Sequence, residues 1–465
     1  MMHLKIFRQE NIAHDLKADQ HFAKTMVARD LLVLGIGAVI GTGIFILPGT
    51  VAAKTAGPGV TLSFFFAAIV CALAAMCYAE FSSAIPVAGG AYSYGNIIFG
   101  EVIGWFLGWA LILEYILALS SVSTGWAAYF NAMMSSFGVN LPKALTGPFS
   151  PQNGTYFNLV AALIVLLIAF MLRQGMKTSM TISSAAVVIK LAIILIFIVV
   201  GVAFIKPNNY HPFMPYHFSG VIRGSATVFF AFLGFDAVSS SAAEVKNPKH
   251  NMPIGIIGTL VVATLLYMGV SFVLTGMVNY RQLNVANPVA FALRLAHQTW
   301  LANLLSLGAL IGMFTMMVTV LYSASRLIYS ISRDGLLPKK LCRFDERSHT
   351  PKGALWFVAI VGALLGGLGS LDELTSLVNI GTLLAFICVS FGILRLRKRK
   401  DIPNSNGFQV PGYPILPIIS GILCTIMLFL LPKSAFIGAG IWFAIGLLIY
   451  ACYGYKHSRL QQDQR

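Results

Sequence analysis

Long apolar runs separated by short polar loops recur along the whole chain. They predict twelve helices, over roughly 31–54, 58–84, 98–130, 156–173, 178–205, 222–245, 253–279, 300–331, 353–371, 374–394, 412–431 and 434–455. Each exceeds the about 17 residues that a helix needs to cross a hydrocarbon core. A backbone in lipid has no water to bond, and a helix pairs its polar groups within one segment. The pattern reads as an all-α membrane protein with twelve transmembrane helices.

The positions of the positive charges test that count. With both termini cytosolic, the inside segments carry 24 of the 32 Lys and Arg residues. The outside holds Lys54, Lys143, Lys206, Arg223, Arg281, Arg294 and Lys433, and Lys190 remains within a span. An odd number of helices would break this bias, because excess Lys and Arg marks cytosolic loops. Composition agrees: the 465 residues are 57% hydrophobic and only 10% charged, against about 25% charged in soluble domains. The net charge of +16 is then a topology signal, and no nucleic-acid partner is expected. The first thirty residues are polar and mixed in charge, and are not read as a signal peptide.

Several local features have bland readings. The six cysteines show no metal spacing and read as apolar fillers. The run Arg395-Leu396-Arg397-Lys398-Arg399-Lys400 reads as a stop-transfer anchor, with an anionic-lipid patch as the other reading. Asn153-Gly154-Thr155 fits a glycosylation sequon in an outside loop. The nine histidines are scattered and none is mid-span, which argues against an integral-membrane enzyme. The tails are short for a nutrient sensor, and no phosphate-cradling Gly-x-x-x-x-Gly-Lys loop supports an ATP-driven pump.

Two spans look discontinuous. In the first, Gly35, Gly37, Gly41 and Gly43 fall within nine residues. Each costs about 0.8–1 kcal/mol relative to alanine inside a helix. Unwinding at Gly41-Thr42-Gly43 would free backbone N–H groups to face an anion, aided by the dipole of the following half-helix. Close small-xxx-small packing is the competing reading. The sixth span centres on Phe229-Phe230-Ala231-Phe232-Leu233-Gly234-Phe235-Asp236. It lies five spans after the first, and an odd offset enters the membrane from the other side. Paired interruptions at matching positions point to the binding site of an inverted-repeat transporter.

Three charges lie deep within spans: Glu114, Lys190 and Asp236. Lys190 is roughly 18–22 Å from either end of its run at about 1.5 Å per residue, too deep to snorkel. Burying it there costs about 2.5–3.5 kcal/mol. An amine that gains and loses a proton as the site opens to each side would couple transport to protons. A structural Glu114–Lys190 pair is the alternative. Glu80 and Glu244 lie near cytosolic ends and read as interfacial. Arg326 and Arg333 read as topology or inner-gate charges.

These residues resemble a family. Ile36-Gly-Ala-Val-Ile-Gly-Thr-Gly-Ile-Phe45 is similar to the span-one motif of the amino acid–polyamine–organocation superfamily. Phe229-Phe-Ala-Phe-Leu-Gly-Phe-Asp236, Glu244-Val-Lys-Asn-Pro248, Met252-Pro-Ile-Gly255 and Leu111-Ile-Leu-Glu-Tyr115 resemble its cationic amino acid transporter branch, bacterial type. The resemblance implies a leucine-transporter-type fold with a 5+5 inverted repeat and discontinuous helices 1 and 6. The divisions would be a cytosolic segment 1–30, repeats 31–205 and 222–394, helices 11–12 over 412–455, and a cytosolic tail 456–465. It implies that backbone at Ile40, Gly41, Thr42 and Gly43 holds a substrate carboxylate. Carbonyls near Val39, Ile40, Phe230, Ala231 and Leu233 would hold the amine, with Phe230 as an outer lid. Lys190 matches a position where sodium-coupled relatives bind sodium. Glu114 would sit at or behind the side-chain end of the pocket, and Asp236 would serve gating or local order in span six.

The expected function is secondary active transport: proton-coupled uptake of cationic or neutral L-amino acids across the plasma membrane. An exchanger not driven by protons is the alternative. No cofactor is expected beyond the coupling proton. Expected partners are the amino acid, membrane lipids and a small single-span accessory subunit.

Overall fold

The computed structural model describes residues 24–87, 89–174, 177–345, 350–399, 401–402 and 407–462. Residues 1–23 of the predicted cytosolic segment lie outside it, with His3, His14 and His21, as do His349, Lys400 and the last three residues of the predicted tail.

The first half contains α1 (Ala28–Val39), α2 (Thr42–Phe45), α3 (Leu47–Val51), α4 (Val60–Ala84), α5 (Ala91–Ile98), α6 (Glu101–Ser136), α7 (Leu159–Arg173) and α8 (Lys177–Val202). The second contains α9 (His217–Val228), α10 (Phe235–Ser239), α11 (Pro248–Met277), α12 (Pro288–Leu295), α13 (Thr299–Arg333), α14 (Lys352–Leu368) and α15 (Leu371–Leu396). Helices α16 (Ile415–Phe429) and α17 (Lys433–Ile449) follow. A two-stranded antiparallel ribbon pairs Phe344–Asp345 with Thr350–Pro351.

Among the described residues, seven helical segments are long and apolar enough to cross a membrane, and three shorter apolar helices accompany them. The outward faces are apolar. On α7, Leu163, Leu167 and Phe170 are about half exposed, at the three- and four-residue spacing of one helix face. That surface suits lipid, and the protein is a multi-pass membrane protein.

Two helices were not anticipated. α5 and α12 each span eight residues. Both are too short for a membrane span, so the search for long apolar runs passed over them. Each follows a long helix, α4 or α11, and precedes another, α6 or α13.

Small residues set the closest approaches between α1 and α11. A Cβ on Gly35 would overlap Thr259, and one on Gly255 would lie 2.6 Å from Leu31 Cβ. The predicted basic anchor after α15 is folded against the protein rather than left in solvent. Arg397 makes a two-pronged pair with Glu80 at 2.8 and 2.9 Å, and Val410 N–H donates to the same carboxylate. Arg395 stacks over the Phe99 ring at 4.8 Å. Glu80 is buried and clamps the ends of α4 and α15.

Candidate functional site: two interrupted helices

α1 ends at Val39, and the chain turns extended at Ile40 (φ −82°, ψ 98°). Helical geometry resumes at Thr42. Among the described residues, the N–H groups of Gly41, Thr42 and Gly43 meet no backbone or side-chain acceptor. The Thr42 hydroxyl is also buried without a partner. Four donors thus converge where a half-helix begins. Unmet buried donors are costly, by about 1–3 kcal/mol each, so the arrangement suits an anion.

The second interruption is built differently. α9 gives way to a tight turn over Phe229–Phe232, Leu233 is extended, and Gly234 takes a left-handed φ of 107°. Here two of the donors are met from within the segment. Leu233 N–H donates to Phe230 O at 3.2 Å. Gly234 N–H donates to Asp236 Oδ1 at 3.2 Å, and Tyr115 O–H donates to Asp236 Oδ2 at 3.2 Å. Asp236 is thus a local cap of α10. Phe230 is fully buried beside it.

The two interruptions interlock through glycine. A Cβ on Gly43 would lie 2.7 Å from Ala231 Cα, and one on Gly234 would lie 2.9 Å from Ala38 C. Neither contact leaves room for a side chain, and Gly234 also needs its positive φ.

Two side chains bind the carbonyls exposed by the break. Lys190, from α8, is fully buried. Its Nζ donates to Gly37 O at 3.0 Å and Ile40 O at 2.9 Å. No carboxylate lies within 4.0 Å of it among the described residues. The alternative of a Glu114–Lys190 pair is therefore corrected: the ammonium takes carbonyl dipoles, which carry no counter-charge. Tyr267, from α11, was not singled out in the sequence. Its hydroxyl lies 2.6 Å from Ala231 O and 2.9 Å from Val39 O, one proton shared between both interruptions. Its ring packs against Phe64 and Phe232. A tyrosine deep in an apolar span needs a partner for its hydroxyl, and that was the available signal.

Glu114, on α6, is buried, and its Oε2 has no partner. It borders a narrow cavity with Ala38, Leu233, Gly234, Met316 and Thr319. Met316, on α13, closes this cavity over Gly41, where an added Cβ would strike its sulfur. Val39, Ile40, Gly41, Thr42, Gly43, Phe230, Ala231 and Leu233 are all buried and gathered around the two interruptions.

The segment before α1 is tied to the stretch that follows α10. Thr25 and Met26 N–H both donate to Glu244 O, and Lys246 N–H donates to Met26 O at 2.9 Å. Arg326 pairs with Glu244 at 2.5 Å. Arg333 instead meets the neighbouring Asp334.

A helical membrane bundle with two facing interrupted helices and unmet donors at its centre has the anatomy of a transport protein. The sequence model of the amino acid permease family matches residues 29–454, and the chain belongs to that family, within the superfamily it resembles. It is not an enzyme family. The chain is 48% identical over 440 residues to the methylthioribose transporter of Bacillus subtilis, covering 95% of each chain. It is 44% identical to the branched-chain amino acid permease BcaP of the same organism, covering 98% of this chain and 99% of that one. Vacuolar cationic amino acid transporter 4 of Arabidopsis thaliana is 34% identical, covering 86% and 68%.

Proposed function

We propose that the protein is a proton-coupled importer of neutral, apolar L-amino acids working by alternating access. The observation that carries this reading is the set of four unmet donors at Gly41, Thr42 and Gly43. They suit a carboxylate. Second lone pairs on the carbonyls of Val39, Ile40 and Ala231 suit the ammonium of the same ligand, with Phe230 and Leu233 beside it. Met316 and Leu233 give an apolar side-chain end. Likeness to a branched-chain amino acid permease supports the neutral class.

Twelve spans are the reading that best accounts for the helices. Seven long segments and three shorter ones, together with the two interrupted helices, give that number. The eight-residue helices α5 and α12 support a repeat of 31–205 in 222–394, since each falls after the second span of its half. The segments 1–30 and 456–465 would then both be cytosolic, 412–455 would hold the last two spans, and the bundle would sit in the plasma membrane.

Lys190 is the coupling group of this reading. Protonated, it donates to the carbonyls of the span-one break, as a bound cation would draw on them. Deprotonated, it releases Gly37 O and Ile40 O, and the inner half-helix α1 is free to move. Asp236 holds the shape of the second break while Phe230 gates.

Glu114 favours a second reading, in which a cationic side chain pairs with its unmet oxygen. Uptake into proteoliposomes, with and without internal substrate and with an imposed pH gradient, tests both coupling and exchange. The panel is leucine, valine, alanine, lysine and arginine, with methylthioribose as competitor. Leucine uptake driven by an inward proton gradient supports the proposal. Uptake only in exchange for internal amino acid refutes it. Lysine uptake that vanishes in Glu114→Gln supports the cationic reading.

A further inference from the structure

A second cavity lies apart from the interrupted helices, at the far ends of α8 and α11. Its volume is about 710 Å³, within the about 300–1,000 Å³ of small-molecule sites. Its lining joins apolar Phe204, Ile205, Met277 and Leu295 to polar Lys206, Asn209, Asn279, Gln282 and His297. Neither aspartate nor glutamate lines it. Lys206 has no carboxylate within 4.0 Å among the described residues. The cavity is therefore an amphipathic hollow that combines a positive charge and side-chain amides with apolar surface.

Hydrogen bonds hold the lining in place. Lys206 N–H donates to Gly276 O at 2.9 Å, and Asn209 Nδ2 donates to the same carbonyl at 2.7 Å. His297 N–H donates to Arg294 O and Gln298 N–H to Leu293 O, a double turn that stops α12. This C-terminal turn normally takes glycine in its left-handed position. His297 occupies it with φ 57°, a conformation unfavourable for a residue with a side chain. A non-glycine outlier of this kind points to a use for its side chain. Apolar residues of the lining segments and next to them in sequence are exposed, with Val202 and Leu295 about half exposed and Trp300 more so.

We propose that this cavity binds an amphipathic phosphodiester anion, the chemistry of an anionic lipid headgroup with its glycerol and upper acyl chain. Lys206 and His297 meet the phosphate, the amides of Asn279 and Gln282 meet the headgroup hydroxyls, and Ile205 and Leu295 take the chain. Occupancy ties α12 to the ends of α8 and α11.

The test is native mass spectrometry of the full chain, purified in mild detergent and titrated with phosphatidylglycerol. Phosphatidylcholine serves as the zwitterionic control, and inorganic phosphate and glycerol 1-phosphate are the soluble arms. The variants are Lys206→Gln with His297→Gln, and Arg223→Gln, an exposed cation outside the cavity. A cation in direct contact with the phosphate makes a charge-assisted hydrogen bond, and losing it weakens binding about fivefold or more. We expect one tightly retained phosphatidylglycerol, held about fivefold or more weakly by the double variant and unchanged by Arg223→Gln. Competition by glycerol 1-phosphate without retention of the lipid would keep the phosphate chemistry and assign a soluble source. Equal retention in the wild type and a double variant of unchanged melting temperature would overturn the proposal. So would equal binding of phosphatidylcholine.

Discussion

The interruptions in α1–α2 and α9–α10 pack against each other, yet they distribute their polar groups differently. At the first, the donors of Gly41, Thr42 and Gly43 are unmet while the carbonyls of Gly37, Val39 and Ile40 are engaged by Lys190 and Tyr267. At the second, Asp236 and Phe230 meet the N–H groups of Gly234 and Leu233 from within the same segment. The first break leaves three consecutive N–H groups and a buried hydroxyl unmet, while the second meets two of its N–H groups from within. A broken helix is therefore not by itself a binding site; the balance of its unmet donors and acceptors decides.

The first way to test that contrast is Lys190→Met, which leaves Gly37 O and Ile40 O without their donor. Accumulation of leucine against its gradient should fall to equilibrium, with an imposed pH gradient giving no stimulation; undiminished accumulation would remove Lys190 from coupling. Next is Gly43→Ala. Its Cβ meets backbone at Ala231, which cannot yield as a flexible side chain would. Overpacking of about 3 kcal/mol should lower uptake about 100-fold, measured at matched protein amounts. Thr42→Val removes one of the four donors while keeping shape. Leucine binding should weaken by about five- to tenfold, from about 1–1.5 kcal/mol for one hydrogen bond. Tyr267→Phe should have the smallest effect, lowering uptake a few-fold and the melting temperature slightly. The carbonyls it serves can shift toward other donors.

Much of this was readable from residue order, because the membrane restricts the choices. Lipid forces helices, so apolar length alone located the long helices. Glycine cost located the breaks to within a residue or two: the first falls at Ile40–Gly41, with Thr42 and Gly43 already helical, and the second at Leu233–Gly234. Depth singled out Lys190, and its isolation from acids could not be read, since charge pairing depends on which helices neighbour α8. Tyr267 and Met316 were missed for a related reason. Each looks like any other apolar residue along its own helix and gains meaning only across an interface. The eight-residue helices α5 and α12 were invisible to a criterion based on membrane thickness. The docking of Arg397 on Glu80 joins residues more than three hundred positions apart, beyond any local pattern.

Equilibrium binding of leucine and of its decarboxylated amine, isoamylamine, to the purified protein tests the role of the first break most directly. If Gly41, Thr42 and Gly43 hold the carboxylate, the amine should bind at least about 100-fold more weakly, the loss of about 3 kcal/mol for charge-assisted hydrogen bonds. Equal binding of the two ligands would contradict the account, because the unmet donors would then have no part in recognition.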